Sequence, residues 1–365
     1  MYDVIIIGAG PAGTAAGFDL VSAGYAVLML DRRSFPRTKA CAGGITPKAL
    51  NLFAYDISHL VERQCHRVRV KRPGGHTFTV AEKQPLCHMV QRRDLDLYSL
   101  NKAISAGVEY RRVKSIKAII QSDNHVRLNT EDGHFTARYL IGADGANSRV
   151  RRMVTTSSGR RFRVKKYPAL EADVPVGNAD RIPMELDFSR EIPGYYWIFP
   201  KKDHVSIGIY ATTKSVPVSA GMLQSYAKQR FNTCEMKNIK GYPICVGGGG
   251  WGLKNPGHHR VLLTGDAAGF AEPLLGEGIY FALKSGRTAA ATIIRAIENR
   301  DSALNRYRRA LKRTHLDLMC YSGAAKILYQ FPGPCLKLAA YRSIHGHFSK
   351  GYARGLPLVQ LFYPF

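Results

Sequence analysis

The stretch YDVIIIGAGPAGTAAGFDL, residues 2–20, decides the fold. Val4–Ile7 is a short β-branched run of the kind buried on both faces in a parallel sheet. Gly8-x-Gly10-x-x-Gly13 follows at once, and Ala12 to Ala23 has the pattern of a helix that Gly24 ends. A second apolar strand, Ala26 to Leu30, closes on Asp31. Each glycine has its own reason to be there: Gly8 permits the tight turn, Gly10 lets the backbone approach a pyrophosphate, and Gly13 lets helix and strand pack closely. The pyrophosphate is expected at the helix N-terminus, with Ala12 among its contacts, because free N–H groups and the helix dipole favour anions there. Asp31 is placed to accept hydrogen bonds from an adenosine ribose. Strand, glycines, helix, strand and terminal acid in this order make a dinucleotide-binding fingerprint, although it does not separate FAD from NAD.

Size and composition set the frame around that fingerprint. A chain of 365 residues is long for one core and predicts about two domains, interleaved or in series. With 45% apolar and 22% charged residues it is neither disordered nor fibrous. No uninterrupted apolar run reaches the roughly 18 residues of a membrane span; Leu318 to Leu336 carries Lys326 and is broken by Pro332 and Pro334. The N-terminus has Asp3 and no basic leader, so no signal peptide is expected. Seven cysteines without CxxC spacing read as thiols of a reducing cytoplasm, and no metal site is expected. The abnormal number is a net charge of +26. Arg149 to Lys166 holds eight basic residues and no acidic one, and from Gly286 onward there are 13 Lys or Arg against three Asp or Glu. Such a field attracts anionic lipid or phosphorylated substrates, or is simply solvated. Nucleic acid is not an expected partner, since no recognition motif accompanies the charge.

Two later motifs choose between the cofactors. Tyr139-Leu-Ile-Gly142-Ala-Asp144-Gly145-Ala-Asn-Ser148-Arg-Val-Arg151 is a strand delivering an Asp-Gly turn, with Ser148 placed to cap the next segment. Arg260-Val-Leu-Leu-Thr-Gly265-Asp266-Ala-Ala-Gly269 is a buried strand ending in Gly-Asp, and Pro273-Leu-Leu-Gly276-Glu277-Gly278-Ile279 then starts a helix. Val90-x-Arg92-x-x-Leu95-Asp96 opens another helix. In this order they resemble the flavin hydroxylase and reductase superfamily, and the resemblance implies FAD. It places Asp144, Gly145, Gly265 and Asp266 at the cofactor, with Asp266 on the ribityl chain. Gly276, Gly278 and Ile279 would present a helix N-terminus to the flavin, where its dipole favours the anionic reduced form. It also makes Arg32 and Arg92 cofactor contacts, the alternative for Arg92 being an ordinary surface position. No second GxGxxG appears; Gly247 to Gly250 leads to Trp251 and a proline loop. Electrons are therefore expected from transiently docked NAD(P)H or a small redox protein.

Tyr195-x-Trp197-x-Phe199-Pro200-x7-Gly208 and Lys39-x-Cys41-x-Gly43-Gly44 are similar to the Y-x-W-x-F-P-x7-G and K-x-C-x-G-G segments of the geranylgeranyl reductase family. Residues alternating along a strand share a face, so Tyr195, Trp197 and Phe199 form an aromatic wall or ordinary sheet core. As the resemblance implies, that wall and Pro200 bind a hydrophobic isoprenoid, while Cys41, Ala42 and Gly43 lie at the flavin. The implied reaction is hydride transfer from reduced flavin to a carbon–carbon double bond, with a proton added on the neighbouring carbon. Cys41 is the candidate catalytic residue, as proton donor, against the alternative of a structural thiol. Lys201 and Lys202 meet a phosphate or are solvated, with solvation preferred. Two other branches compete. Aromatic hydroxylases usually carry His where this chain has Gly269 and Gln where it has Glu277. Flavin halogenases carry G-W-x-W-x-I-P where this chain reads Gly194-Tyr-Tyr-Trp-Ile-Phe-Pro200.

The expected fold is α/β: a Rossmann-type FAD-binding domain interleaved with a mixed-sheet α+β substrate domain and followed by a helical segment. Residues 1–62, 88–155 and 255–300 are assigned to the first, 63–87 and 156–254 to the second, and 301–365 to the tail. Val68 to Val80 alternates around Pro73-Gly-Gly75 and reads as a hairpin. In the tail, Leu304, Tyr307, Leu311 and His315 keep helical spacing. Its Lys and Arg are interleaved with Leu328, Tyr329, Phe331, Tyr341, Phe348 and Phe362. That mixture fits a cap on the substrate domain or docking on an anionic membrane, giving a cytoplasmic protein peripheral to the inner membrane face.

Overall fold

The computed structural model describes residues 1–158, 164–189, 192–213, 215–247 and 256–361. Gly248–Trp251, Phe362 and, within the basic run, Arg160, Arg161 and Arg163 lie outside the described residues. Two large sheets organise the rest. In the first, the opening strand Tyr2–Ile7 runs parallel to Val27–Asp31 on one side and to Gly133–Gly142 on the other. Glu109–Arg112 and Val261–Leu263 extend the parallel set outward. Val4–Ile7 and Leu28–Leu30 are buried, which is why they read as unbroken apolar runs rather than alternating ones. Helices Pro11–Ser22, Arg92–Ser105 and Ile279–Asn299 pack together beside this sheet. The last begins at Ile279, so Pro273–Gly278 is a loop leading into the helix and not its first turn.

The second sheet has seven strands in the order Lys237–Gly241, Ala169–Pro175, His204–Ala211, Gly194–Pro200, Met184–Asp187, Arg67–Lys71 and Thr77–Ala81. Only Met184–Asp187 and Arg67–Lys71 pair in parallel; the rest is antiparallel. Strand alternation gives the sheet two apolar faces. Tyr196, Ile198, Ile207 and Ile209 pack with Leu223 and Tyr226 of helix Ala220–Phe231. Tyr195, Trp197, Tyr210 and Phe188 form the opposite, aromatic face, which Leu275 and Ala42 of the first unit touch.

Beyond Asn299 the chain is helical: Ala303–Ala310, Lys312–Gln330, Pro332–Ala339, Arg342–Ala353 and Leu358–Leu361. Leu304, Tyr307, Leu311, Leu318 and Tyr321 join the main core, whereas Leu328, Tyr329 and Leu336 join the aromatic cluster. Helix Lys312–Gln330 is therefore the wall behind the aromatic face. Its outer side carries Leu316, Met319 and Ile327, each at least half exposed. Among the described residues, no helix is long and apolar enough to cross a membrane.

Candidate active site

The glycine loop sits at the carboxyl end of the opening strand. Gly8 has φ of +107°, and a Cβ there would lie 2.3 Å from the Ala143 carbonyl oxygen, so the loop presses directly on the Asp144-Gly145 turn. Asp31 accepts hydrogen bonds from the N–H groups of Ala9 and Arg33, both at 2.8 Å, and so anchors the loop as well as ending the second strand. Helix Pro11–Ser22 has no side-chain cap at Gly10, so no side chain competes with an anion for the N–H groups of its first turn. The Arg37 guanidinium lies 3.5 Å from the position a Gly10 Cβ would take and pairs with Asp96 at 3.1 Å. Arg32, Arg33, Arg37, Thr38 and Arg112 line an open groove beside it.

The second and third motifs are bolted together by Arg151. Ser148 accepts the Arg151 N–H at 2.8 Å and so caps helix Arg149–Ser158. The buried Arg151 guanidinium then donates to the carbonyls of Ala146 (2.7 Å), Asp266 (3.2 Å) and Ala267 (2.8 Å). Sequence reasoning quoted Arg151 without giving it this role; its place after the Asp-Gly turn was the available signal. Asp144 accepts the N–H groups of Arg149 and Val150, and burial pushes its carboxyl up from the ordinary range. Gly278 stands next to Asp266, where its missing Cβ would lie 3.3 Å from Asp266 Oδ1, so the start of helix Ile279–Asn299 meets the Gly265-Asp266 turn. Lys39 reaches the same carboxylate at 3.9 Å and lies over the Tyr242 ring; burial lowers its ammonium pKa.

The loop Pro273–Gly278 is held from both sides. Glu272, fully buried, accepts N–H groups from Leu274, Leu275 and Glu277, and burial pushes its carboxyl up to about 7. Three tyrosine hydroxyls donate to its successive carbonyls: Tyr210 to Pro273, Tyr329 to Leu274 and Tyr195 to Leu275. Gly276 packs against Ile244, and Glu277 pairs at 2.7 Å with the buried Lys48. Glu277, one of the two residues that set this chain apart from the hydroxylase pattern, is thus tied into the core.

Cys41, Ala42 and Gly43 cross between the two sheets. The Cys41 N–H donates to Glu171 Oε1 at 2.8 Å. Arg92 is buried and bidentate to Asp96. Burial opposes its charge, but Asp96 and the neighbouring Cys41 thiol hold the guanidinium firmly protonated. Lys201 corrects the solvated expectation: it is 3% exposed, donating to the carbonyls of Ala42 (2.6 Å) and Val90 (2.9 Å). The reason is the hairpin turn, which aims this side chain inward at the Ala42–Gly43 segment; Lys202 alone is exposed. Tyr195, Trp197 and Phe199 share one face and pack in series, with Pro200 buried at the strand end. Trp197 pairs with Gly208 across the hairpin, and a Cβ on Gly208 would fall 1.9 Å from the indole. The spacing of seven residues between Pro200 and Gly208 is the length that brings those positions opposite each other.

The glycine loop presses on the Asp144-Gly145 turn, the Gly265-Asp266 turn lies against Ala12, and Ala42 packs on the buried aromatic face of the second sheet. Two buried polar atoms beside the glycine loop, Asp144 Oδ1 and Arg37 Nε, have no protein partner, which fits a polar cofactor running past Gly10. Residues 1–224 match the family model described as FAD binding domain. A geranylgeranyl diphosphate reductase of Rhodobacter capsulatus is 30% identical over 304 residues, covering 79% of this chain and 74% of the relative. Among solved structures, a geranylgeranyl bacteriochlorophyll reductase-like protein of Thermoplasma acidophilum superposes with a TM-score of 0.79 at 20% identity, covering 99% of this chain and 94% of the other. The flavin-dependent brominase Bmp2 superposes with a TM-score of 0.74 at 17% identity, covering 97% and 93%. At those identities both structures speak to the fold alone.

Proposed function

The chain belongs to the geranylgeranyl reductase family of FAD-dependent oxidoreductases, and from that premise we propose that it reduces carbon–carbon double bonds of a geranylgeranyl-type isoprenoid or prenyl lipid. The observation that carries the reading is the buried aromatic cluster of Tyr195, Trp197 and Phe199 packed with Ala42 and Leu275, which sets apolar rings against the Cys41–Gly43 segment. A long hydrocarbon has no polar handle, so it is held by buried apolar area, about 25 cal/mol per Å². Bound FAD, once reduced, supplies the hydride. Gly8, Gly10, Ala12 and Gly13 would receive its pyrophosphate, Asp31, Arg32 and Arg37 its adenosine end, and Asp144, Gly145, Gly265 and Asp266 its middle. Gly276, Gly278 and Ile279 would face the flavin ring, with Cys41–Gly43 and Arg92 across from them. Electrons come from NAD(P)H or a small redox protein that docks transiently. The exposed apolar row on helix Lys312–Gln330 would meet an anionic membrane surface, where a prenyl lipid resides.

The test is anaerobic. The purified flavoprotein is reduced with dithionite, mixed with geranylgeranyl diphosphate or a prenylated quinone, and followed by flavin absorbance and product mass. Reoxidation with a gain of two hydrogens per turnover is the expected result. Flavin that stays reduced until oxygen is admitted, with an aromatic substrate then gaining oxygen or halogen, would instead make the chain a monooxygenase or halogenase.

A further inference from the structure

The aromatic wall ends in a carboxyl group that the motifs do not mark. Glu171 lies on strand Ala169–Pro175, directly opposite Gly208, and Gly208 is directly opposite Trp197. Gly208 has no side chain and the indole lies over it, so Glu171 and Trp197 flank that gap on one face of the sheet, the face against which Ala42 and Leu275 pack. Trp197 Nε1 is buried without a partner, an unsatisfied donor at the foot of the apolar wall. One carboxyl oxygen of Glu171 is fixed by the Cys41 N–H, which leaves the other for a proton. We propose that the Glu171 carboxyl is the acid that donates the proton to the substrate double bond. This rests on the alkene-reductase reading and moves the proton source from the Cys41 thiol to the group its backbone holds.

The step balances simply. The π pair of the double bond takes the carboxyl proton at one carbon, forming a C–H bond as the Glu171 O–H bond breaks. The neighbouring carbon receives the hydride from reduced flavin, which is oxidised, and the remaining carboxylate recovers a proton from solvent before the next turnover. An isolated alkene is a poor acceptor, so a carboxyl kept protonated at the contact point is what the reaction needs. The groups around Glu171 oppose one another. Burial disfavours the carboxylate most and pushes the carboxyl up to about 7; the Cys41 N–H opposes that by bonding the charged form, Asp173 on the same strand adds to the rise, and Lys201 at the hairpin turn and Arg92 on helix Arg92–Ser105 favour the carboxylate. Lys240 faces it from the edge strand, and His204 lies 3.6 Å from Asp173 on the other side. The sign follows: the donor form predominates below about pH 7 and is lost as pH rises through that value.

The experiment compares wild type with Glu171→Gln, which keeps an oxygen for the Cys41 N–H but has no acidic proton. FAD affinity and the rate of flavin reduction by dithionite are expected to match wild type. Substrate-driven reoxidation of the reduced flavin, anaerobically, is expected to fall about 100-fold or more, the low end of what a positioned acid contributes. In wild type that rate is flat at low pH and declines above about 7, a limb that Glu171→Gln removes. Glu171→Asp, which keeps an acidic carboxyl, restores part of the rate. Infrared difference spectra of wild type against the variant give a readout without substrate: a protonated carboxyl band at neutral pH that disappears on raising pH. An active wild type whose Glu171→Gln variant reoxidises equally fast, or an infrared titration showing the carboxyl ionised at pH 6, overturns the assignment while leaving the reductase reading intact. A wild type inert toward every prenyl substrate overturns both.

Discussion

At Gly208 the chain omits a side chain so that the Trp197 indole can lie across the neighbouring strand. A Cβ at 1.9 Å from a rigid ring has nowhere to go, because the indole is itself wedged between Tyr195 and Phe199. Gly208→Ala is expected to destabilise the protein by about 1–3 kcal/mol, the cost of forcing an extra methyl into a packed face. The check is urea unfolding followed by fluorescence, to which only two tryptophans contribute. An unchanged midpoint would mean that the ring moves aside freely. The Y-x-W-x-F-P-x7-G spacing was legible as a pattern, but its reason was not: glycine and indole meet only once the hairpin is paired. Lys201 makes the same point in reverse. Its charge pointed to solvent, yet two backbone carbonyls satisfy it inside the fold.

Among the elements, the loop Pro273–Gly278 decides how the two units stay in register. Its carbonyls are claimed by Tyr195 and Tyr210 from the seven-stranded sheet and by Tyr329 from the tail, while Glu272 claims its N–H groups. Tyr210→Phe and Tyr329→Phe each leave a loop carbonyl without its donor, and each is expected to cost about 0.5–1.5 kcal/mol. Because the loop leads into the helix start beside Asp266, that loss should appear as weaker FAD retention, read as free flavin fluorescence on dilution. Retention equal to wild type in the double variant would show that the loop holds its shape unaided. The strand, glycine turn and helix of the N-terminus were legible because local pattern specifies them. The clamp was not, because its donors come from separate segments: Tyr195 stands in a legible pattern, but neither that pattern nor any spacing of Tyr210 and Tyr329 says that their hydroxyls meet one loop.

Over the whole molecule, part of the net charge of +26 falls on the tail. Between Ser302 and Leu361 the single acidic residue, Asp317, is buried, so the charge this region shows to solvent is positive. Leu316, Met319 and Ile327 follow one side of helix Lys312–Gln330, and Phe331, Leu338 and Tyr341 continue the exposed apolar set, flanked by Lys312, Arg313, Lys326, Lys337 and Arg342. Apolar residues ringed by cations suit an anionic bilayer, each cation near it contributing about 1 kcal/mol at low salt. The protein is expected to float with anionic but not neutral vesicles, to release as ionic strength rises, and to lose binding in Ile327→Glu with FAD content unchanged. Equal recovery from neutral vesicles, or a salt-independent dimer masking the row, would reject the membrane as its partner.

The sequence by itself determined the cofactor class and the α/β fold, because GxGxxG, Asp144-Gly145 and Gly265-Asp266 each depend on a few adjacent residues whose backbone geometry admits little else. It also marked the aromatic row, since alternation along a strand needs no partner to be read. Only the tertiary structure decided what those rows face. Strand order in the second sheet, the inward turn of Lys201, the reach of Arg151 across two motifs and the meeting of Glu171 with Cys41 all join residues far apart in the chain. Such contacts are fixed by the closing of the whole core and leave no local periodicity to read.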